Sequence, residues 1–245
     1  MKKYLLFIVL LFAVTIIKAQ NLVPDSSFEM YTTCPTALSQ VQVLSSWFQP
    51  TLGTSDYFNL CDMGQVNVPS NYFGYQSASG GNGYAGFWIF SGGTEVKEYL
   101  GSNLSCSNSS EVCALTVGVS YQVSMDVSLA ETHSNVGCDG LGVYFFTYPP
   151  SVNTANLWQV LPFTAQINYS SYGPITDTLN WVTLTDTLTA DSAYRYIIVG
   201  AVLPDSLQDT VRIKPEDPYG KSYYYVDNVR VVPLTWSPPP TSSHY

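Results

Sequence analysis

Charge is what this 245-residue sequence has least of: Asp, Glu, Lys and Arg together make up 11% of it, against about 25% in an average soluble protein. That shortage excludes a helical bundle or coiled coil, whose surfaces draw on Lys, Glu, Arg and Ala, and no stretch sustains a 3.6-residue apolar period beyond two turns. Histidine is scarcer still, with two copies. His244 stands in the C-terminal tail, which leaves His133 as the one side chain of its type able to act as a base. No G-x-S-x-G motif is present. Gly81-Asn82-Gly83-Tyr84-Ala85-Gly86 fits a dinucleotide-binding spacing, but Phe87-Trp88-Ile89-Phe90 follows it, a strand in place of the helix that a pyrophosphate needs. Apolar surface, in contrast, is abundant: 46% hydrophobic residues, including 19 Tyr, 11 Phe and 5 Trp, which argues against disorder. Aromatic and β-branched residues punctuated by Gly and Pro point to an all-β fold.

Lys2 and Lys3, an apolar run over 4–17, and then Lys18, Ala19 and Gln20 follow the order of a secretory signal, with cleavage expected after Ala19. The run is shorter than the roughly 20 residues that span a bilayer as a helix. No later segment is apolar enough to do so, and no Cys near the cut offers a lipid anchor. The sequence therefore predicts an exported chain, in the periplasm, at the cell surface or outside the cell, with no membrane span in its mature form. Losing Lys2, Lys3 and Lys18 leaves six of nine basic residues against 18 acidic ones, a net charge of −12. Such a charge repels phosphate backbones, so nucleic acid is excluded as a partner.

Five cysteines in an exported chain suggest disulfides. Cys106 and Cys113 flank a polar loop, and Cys34 and Cys61 bracket the other Cys-bearing stretch, which predicts the pairs 34–61 and 106–113. Loop entropy assigns about 3.5 kcal/mol to the longer closure and about 2.5 kcal/mol to the shorter. Cys138 is left over, either a small buried hydrophobe beside Gly137 and Gly140 or a reactive thiol or metal ligand.

Strand-like runs fall at 27–31, 46–49, 83–90, 95–100, 121–129, 141–147, 181–189, 194–202 and 223–232, with Gly, Pro, Asn and Ser clusters between them. These define one domain over 20–235. The Pro-rich end, 236–245, is read as a tail or linker. Trp47 and Trp181, each at the start of a run, are read as structural.

Two stretches are distinctive: Asn21-Leu-Val-Pro-Asp-Ser-Ser-Phe-Glu29 near the start and Tyr223-Tyr-Tyr-Val-Asp-Asn-Val-Arg-Val231 near the end. They resemble the opening and closing signatures of carbohydrate-binding modules of families 4, 9 and 22, which share the galactose-binding-like jelly-roll sandwich. The resemblance implies that the first and last strands pair near one edge. Tyr31-Thr-Thr-Cys-Pro, Gly53-Thr-Ser-Asp-Tyr-Phe-Asn, Val68-Pro-Ser-Asn-Tyr-Phe-Gly-Tyr-Gln, Lys97-Glu-Tyr-Leu and Val127-Ser-Leu-Ala-Glu resemble an exported Bacteroidetes β-sandwich domain. That domain is often found in front of outer-membrane-protein-A-like domains. Asp177-Thr-Leu, Asp186-Thr-Leu, Asp191-Ser-Ala, Asp205-Ser-Leu and Asp209-Thr-Val resemble the O-glycosylation acceptors of the same phylum, or are turns in which Asp caps nearby amides.

The last run carries an anomaly. Tyr225, Asp227, Val229 and Val231 share one face, and its apolar members turn that face inward, where a carboxylate is costly unless partnered. The resembling modules hold a structural Ca²⁺ at the matching Asp and at the Glu of the first strand, which places the metal at Asp227 and Glu29; calcium accepts six to eight oxygens. The alternative is an Asp at a strand end bonded to turn amides. Glu131, His133, Cys138 and Asp139 form a looser set of metal-ligand types, and this segment matches a turn in the resembling family.

Sugars stack on flat rings while their hydroxyls seek amides and carboxylates. The richest aromatic stretch holds Tyr72, Phe73, Tyr75, Tyr84, Phe87 and Trp88, threaded with Asn71, Gln76 and Asn82, and the candidate ligand contacts are Tyr84, Trp88, Phe87 and Asn82. Alternation puts Tyr84 and Trp88 on one face and Phe87 on the other, so only one set can be a platform. The expected function is a non-catalytic carbohydrate-binding-like module, its partner a glycan or another cell-envelope component. The alternatives are a structural or adhesive envelope protein and, third, a hydrolase using two carboxyls brought together by the fold.

Overall fold

The computed structural model describes residues 20–94, 96–106, 112–150, 159–215 and 219–234. The expected signal sequence, 1–19, and the tail, 236–245, lie outside the described residues. Among the described residues there is no α-helix, and three short 3-10 turns sit at Val41–Val43, Tyr169–Tyr172 and Asp205–Leu207. The strands are β1 (Trp47–Phe48), β2 (Asp56–Asn59), β3 (Ser70–Asn71), β4 (Gly74–Tyr75), β5 (Gly83–Ser91), β6 (Tyr99–Asn103), β7 (Ser120–Leu129), β8 (Val136–Cys138), β9 (Leu141–Phe146), β10 (Ile167–Asn168), β11 (Val182–Thr189), β12 (Tyr196–Ala201), β13 (Thr210–Arg212) and β14 (Lys221–Pro233).

Two five-stranded sheets, ordered β1-β6-β12-β9-β10 and β11-β7-β14-β5-β2, carry the fold. Every pairing in them is antiparallel. The two-residue period of a strand explains how they close on each other. In β5, Ala85, Phe87 and Ile89 face inward and are fully buried, and they join Val127 and Met125 of β7, Val226 of β14 and Leu100, Val143 and Val199 of the other sheet in one core. Phe87 therefore belongs to the core, where it presents no face to solvent. Tyr84 points the other way, yet it too is fully buried; a second cluster of Phe58, Phe73, Tyr84, Tyr223 and Tyr225 covers the outer face of the second sheet.

The first and last described segments meet, but on β14, the central strand of its sheet, and not near an edge as the resemblance implied. Leu22 N donates to Val231 O at 2.9 Å, Val231 N to Asn21 Oδ1 at 2.9 Å and Val229 N to Ser26 O at 2.8 Å. The expected first strand does not form, however. Asp25 accepts the amides of Glu29 and Met30 at 2.8 and 3.1 Å, and Phe28 stands at φ 59°, so this stretch winds into a turn. The expected strand over 95–100 begins only at Tyr99. Asp177 and Asp186 do cap neighbouring amides, those of Leu179, Asn180 and Thr187. Trp47 is buried against Phe28 with its Nε1 donating to Asp25 O, and Trp181 Nε1 donates to Ser77 O, so both indoles tie loops to strands.

Both expected disulfides are formed, with Cα–Cα separations of 6.0 Å for Cys34–Cys61 and 5.4 Å for Cys106–Cys113. Cys138 is free and fully buried in the core. Burial pushes its thiol up to about 11, and a thiol that is neither ionised nor accessible does not react. Alkylation of the native protein at pH 8 is expected to leave Cys138 unmodified, with one equivalent taken up only after denaturation. Mass spectrometry checks this, and native labelling would show that the segment opens.

Candidate functional site

The expected aromatic platform lies under a roof. Tyr84 and Trp88 of β5, Tyr223 and Tyr225 of β14 and Phe58 of β2 share the outer face by register, and residues 65–78 fold across them. Phe73 from this roof stacks on Tyr223 with centroids 3.7 Å apart and planes 9° apart. Asn71 fastens it from the polar side: its Nδ2 donates to Tyr84 Oη and its Oδ1 accepts from Tyr225 Oη, both at 2.8 Å. Tyr84 Oη donates to Gln76 O at 2.9 Å. The Tyr84 ring is thus enclosed and its hydroxyl satisfied within the protein.

Trp88 is different. It ends the row of rings, packs edge-on against Phe73 and Tyr223 at 5.9 and 5.2 Å, and is only half-buried. Its free side lines a pocket of about 510 Å³ shared with Ser91, Thr94, Val96, Tyr219 and Lys221. Tyr219 is 63% exposed. The turn after β5 builds the pocket wall. Gly93, at φ 100°, takes a conformation closed to most side chains, and the Tyr219 ring lies over it, 3.6 Å from where a Cβ would stand. Thr94 N donates to Ser91 O at 3.0 Å, the two hydroxyls bond at 2.7 Å, and Gly92 N donates to Gly220 O at 2.7 Å. Asp205, paired with the buried Lys97, accepts from Ser91 N at 3.3 Å. Asn82 is exposed but sits at the far end of β5. Five residues of strand, 83–87, separate it from Trp88, about 20 Å, so the expected set is not one site. Tyr219, Ser91, Thr94 and Lys221 are the lining residues that the sequence did not disclose. A Gly-Gly turn after a Trp, and a Tyr-Gly before the last strand, were their only signals.

Beneath this end lie two buried carboxyls. Asp56 accepts from Tyr223 Oη and Ser39 N, both at 2.6 Å, and Glu98 accepts from Thr54 Oγ1 at 2.7 Å and Trp88 N at 3.1 Å. A hydrolase would require such a pair in a cleft, but both are buried and neither lines the pocket. Burial, assisted by the neighbouring Glu98, lifts Asp56 to about 7. The unfolded group titrates near 3.9, so between these values the native chain holds a proton that the unfolded chain releases. Stability therefore rises as pH falls through 7 and levels off near 4. Lowering the pH from 8 to 5 is expected to add on the order of 2 kcal/mol from Asp56, with Asp56→Asn removing that share and leaving the like rise from Asp227, which burial also lifts to about 7. His133, lowered chiefly by burial, acts in the opposite sense below its ordinary range. A melting temperature that stays level or drops over that interval would reject the assignment.

The expected calcium ligands are placed at the other end of β5, where both hold the loop that enters it. Glu29 Oε1 accepts from Asn82 N at 2.8 Å and Gly83 N at 2.9 Å. Asp227 Oδ2 accepts from Ser79 N and Gly80 N at 2.8 Å, and its Oδ1 from Asn228 N at 2.7 Å. Burial nevertheless outweighs these amides and lifts Asp227 to about 7. Amide hydrogens converge where a cation would need oxygens, and among the described residues no group of three or more His, Cys, Asp or Glu side chains is placed to hold a metal. This arrangement does not fit a calcium ion. The looser set disperses as well: Cys138 is in the core, His133 stacks on Tyr72 at 4.4 Å, and Asp139 accepts from Asp209 N.

No protein-family model matches the chain, and no curated protein does. Among solved structures it is similar to an arabinose-bound GH51 α-L-arabinofuranosidase, at 12% identity and a TM-score of 0.43, over 89% of this chain and 27% of that one. The chain thus spans about a quarter of that enzyme's length. It is also similar to the CBM22-1 xylan-binding domain of Paenibacillus barcinonensis Xyn10C, at 10% identity and a TM-score of 0.43, over 86% of this chain and 94% of that one. A cleaved adhesin domain of Lys-gingipain matches at 10% identity and a TM-score of 0.41, over 84% and 96%. The fold class is all-β, two antiparallel five-stranded sheets packed face to face around one core. Among the described residues no helix is long and apolar enough to cross a membrane.

Proposed function

We propose that this chain is an exported, non-catalytic carbohydrate-binding-like module of the cell envelope, and that its sugar contact is the pocket at Trp88 and Tyr219. The observation that carries the reading is the pairing of a half-buried indole and an exposed phenol around an open volume of about 510 Å³ that also presents Ser91, Thr94 and Lys221. A pyranose needs such a place: a flat apolar wall for its C–H face and hydroxyl or ammonium donors at the rim. Phe73 and Tyr223 brace the indole from behind, so little rotamer freedom is lost on binding. A glycan array probed with the mature protein, followed by titration of the best oligosaccharide, tests the reading; a folded protein that binds no glycan rejects it.

A second reading, a structural or adhesive envelope protein, is favoured by the roof of residues 65–78. The roof takes the rings of the outer face away from solvent and leaves beside them a polar surface of Thr183, Thr185 and Gln122. Binding to isolated cell envelopes that survives loss of Trp88 would select it.

A further inference from the structure

β11 is an edge strand: it pairs with β7 over Val182–Thr189, and among the described residues it has no neighbour on its other side in the sheet. Its sequence, Thr183-Leu184-Thr185-Asp186-Thr187-Leu188-Thr189, is the same in both directions. Leu184 and Leu188 are buried, while the four threonines and Asp186 are exposed. The edge is held at two points. Tyr172 Oη accepts from Thr185 N at 3.0 Å and donates to Thr185 O at 3.2 Å, so the main-chain groups of Thr185 point away from β7. Asp186 Oδ1 accepts from Thr187 N at 2.7 Å. By strand alternation the outward-pointing backbone groups belong to Thr183, Thr185, Thr187 and Thr189.

We propose that β11 is a self-pairing edge, through which two copies of this chain join as antiparallel strands about a two-fold axis at Asp186. The palindrome selects that occupant. Any extended strand could meet the outward N–H and C=O groups once Tyr172 releases Thr185 and the Asp186 carboxylate releases Thr187 N, but a second β11 also sets Thr183 against Thr189 and Thr185 against Thr187, with Leu184 against Leu188 on the inner face. In this register the outward threonines fall at hydrogen-bonded positions, and Asp186 falls opposite its own copy at a non-hydrogen-bonded one, with Cα atoms about 4.5 Å apart. Two carboxylates facing each other oppose the pairing, and Tyr172 must leave Thr185 before the strands join. Asp186 and Tyr172 thus set the strength of an otherwise self-complementary edge. This surface is remote in sequence and sheet position from Trp88, and the inference stands apart from glycan binding.

The register supplies the test. Asp186→Cys removes the charge and puts two thiols within disulfide range across the axis, so mild oxidation is expected to give a cross-linked dimer seen on a non-reducing gel. Thr183→Cys, whose opposite is Thr189, is expected to give none. In sedimentation runs Asp186→Asn is expected to tighten dimerisation about fivefold over the wild type. Adding Thr187→Pro, which removes an outward amide bonded only by the side chain at 186, is expected to restore the monomer with little change in melting temperature. A monomeric Asp186→Asn protein at the highest attainable concentration overturns the proposal, as does equal cross-linking of the two cysteine variants.

Discussion

Replacing Asp227 with Ala is expected to lower the stability of the fold by about 3 kcal/mol, the largest effect of a single substitution outside the apolar core. The carboxylate accepts three main-chain amides, those of Ser79, Gly80 and Asn228, and it thereby fixes the loop that leads into β5 onto the end of β14. Truncation leaves these donors with no acceptor in a partly buried setting, which is the costly half of losing a hydrogen bond. Asp227→Asn retains one carbonyl oxygen for Ser79 and Gly80 and is expected to cost about 1 kcal/mol. The same pair of variants separates this latch from the calcium that the sequence resemblance implied. For a metal ligand the Asn and Ala variants would fall together, and a chelator would lower the melting temperature of the wild type. For the latch, chelation leaves the melting curve where it is and the two variants differ. A chelator-dependent shift abolished equally by both substitutions would reinstate the metal.

Much of this arrangement could be read from local pattern. β5, β7, β9, β11, β12 and β14 are long enough for alternation to declare itself, and each lies where the sequence predicts a strand to within a few residues. The exceptions have local causes. Asp25 draws the amides of Glu29 and Met30 into a turn where apolar spacing suggests a strand. β3, β4 and β10 have two residues each, too few to show any period. The candidate site was less legible. Alternation correctly separates Phe87 from Tyr84 and Trp88, but it says which face a ring occupies and nothing of what covers that face. The cover is residues 65–78, whose Val66, Val68 and Phe73 are buried. Those apolar side chains in an otherwise polar loop were the available hint of a roof. Tyr219 reaches the Trp88 pocket across more than a hundred residues of sequence, a meeting that only the β5–β14 pairing brings about.

Truncating the pocket's rings is expected to abolish glycan binding while sparing the fold, and Tyr219→Ala is the cleaner of the two variants. Tyr219 is mostly exposed and lies over the Gly93 turn, so losing its ring removes ligand contact and little packing. Sugar sites exchange hydrogen bonds with water for nearly equal ones and gain chiefly from stacking. A platform ring is therefore worth about 1 to 3 kcal/mol, a loss of roughly 5- to 150-fold in affinity. Starting from the modest affinity of an open pocket, that brings binding below detection. Trp88→Ala is expected to match this loss and also to lower the melting temperature by a few degrees, since its indole braces Phe73 and Tyr223. Tyr84→Ala supplies the contrast: its ring is buried beneath the roof and its hydroxyl bonds Asn71 and Gln76, so its removal destabilises by about 3 kcal/mol or more. Whatever Tyr84→Ala protein remains folded should bind as the wild type does. Titration calorimetry with the array's best oligosaccharide, run beside thermal melts, tells these cases apart. Wild-type affinity in both Trp88→Ala and Tyr219→Ala would remove the pocket from the glycan reading, and a loss confined to Tyr84→Ala would move the site beneath the roof.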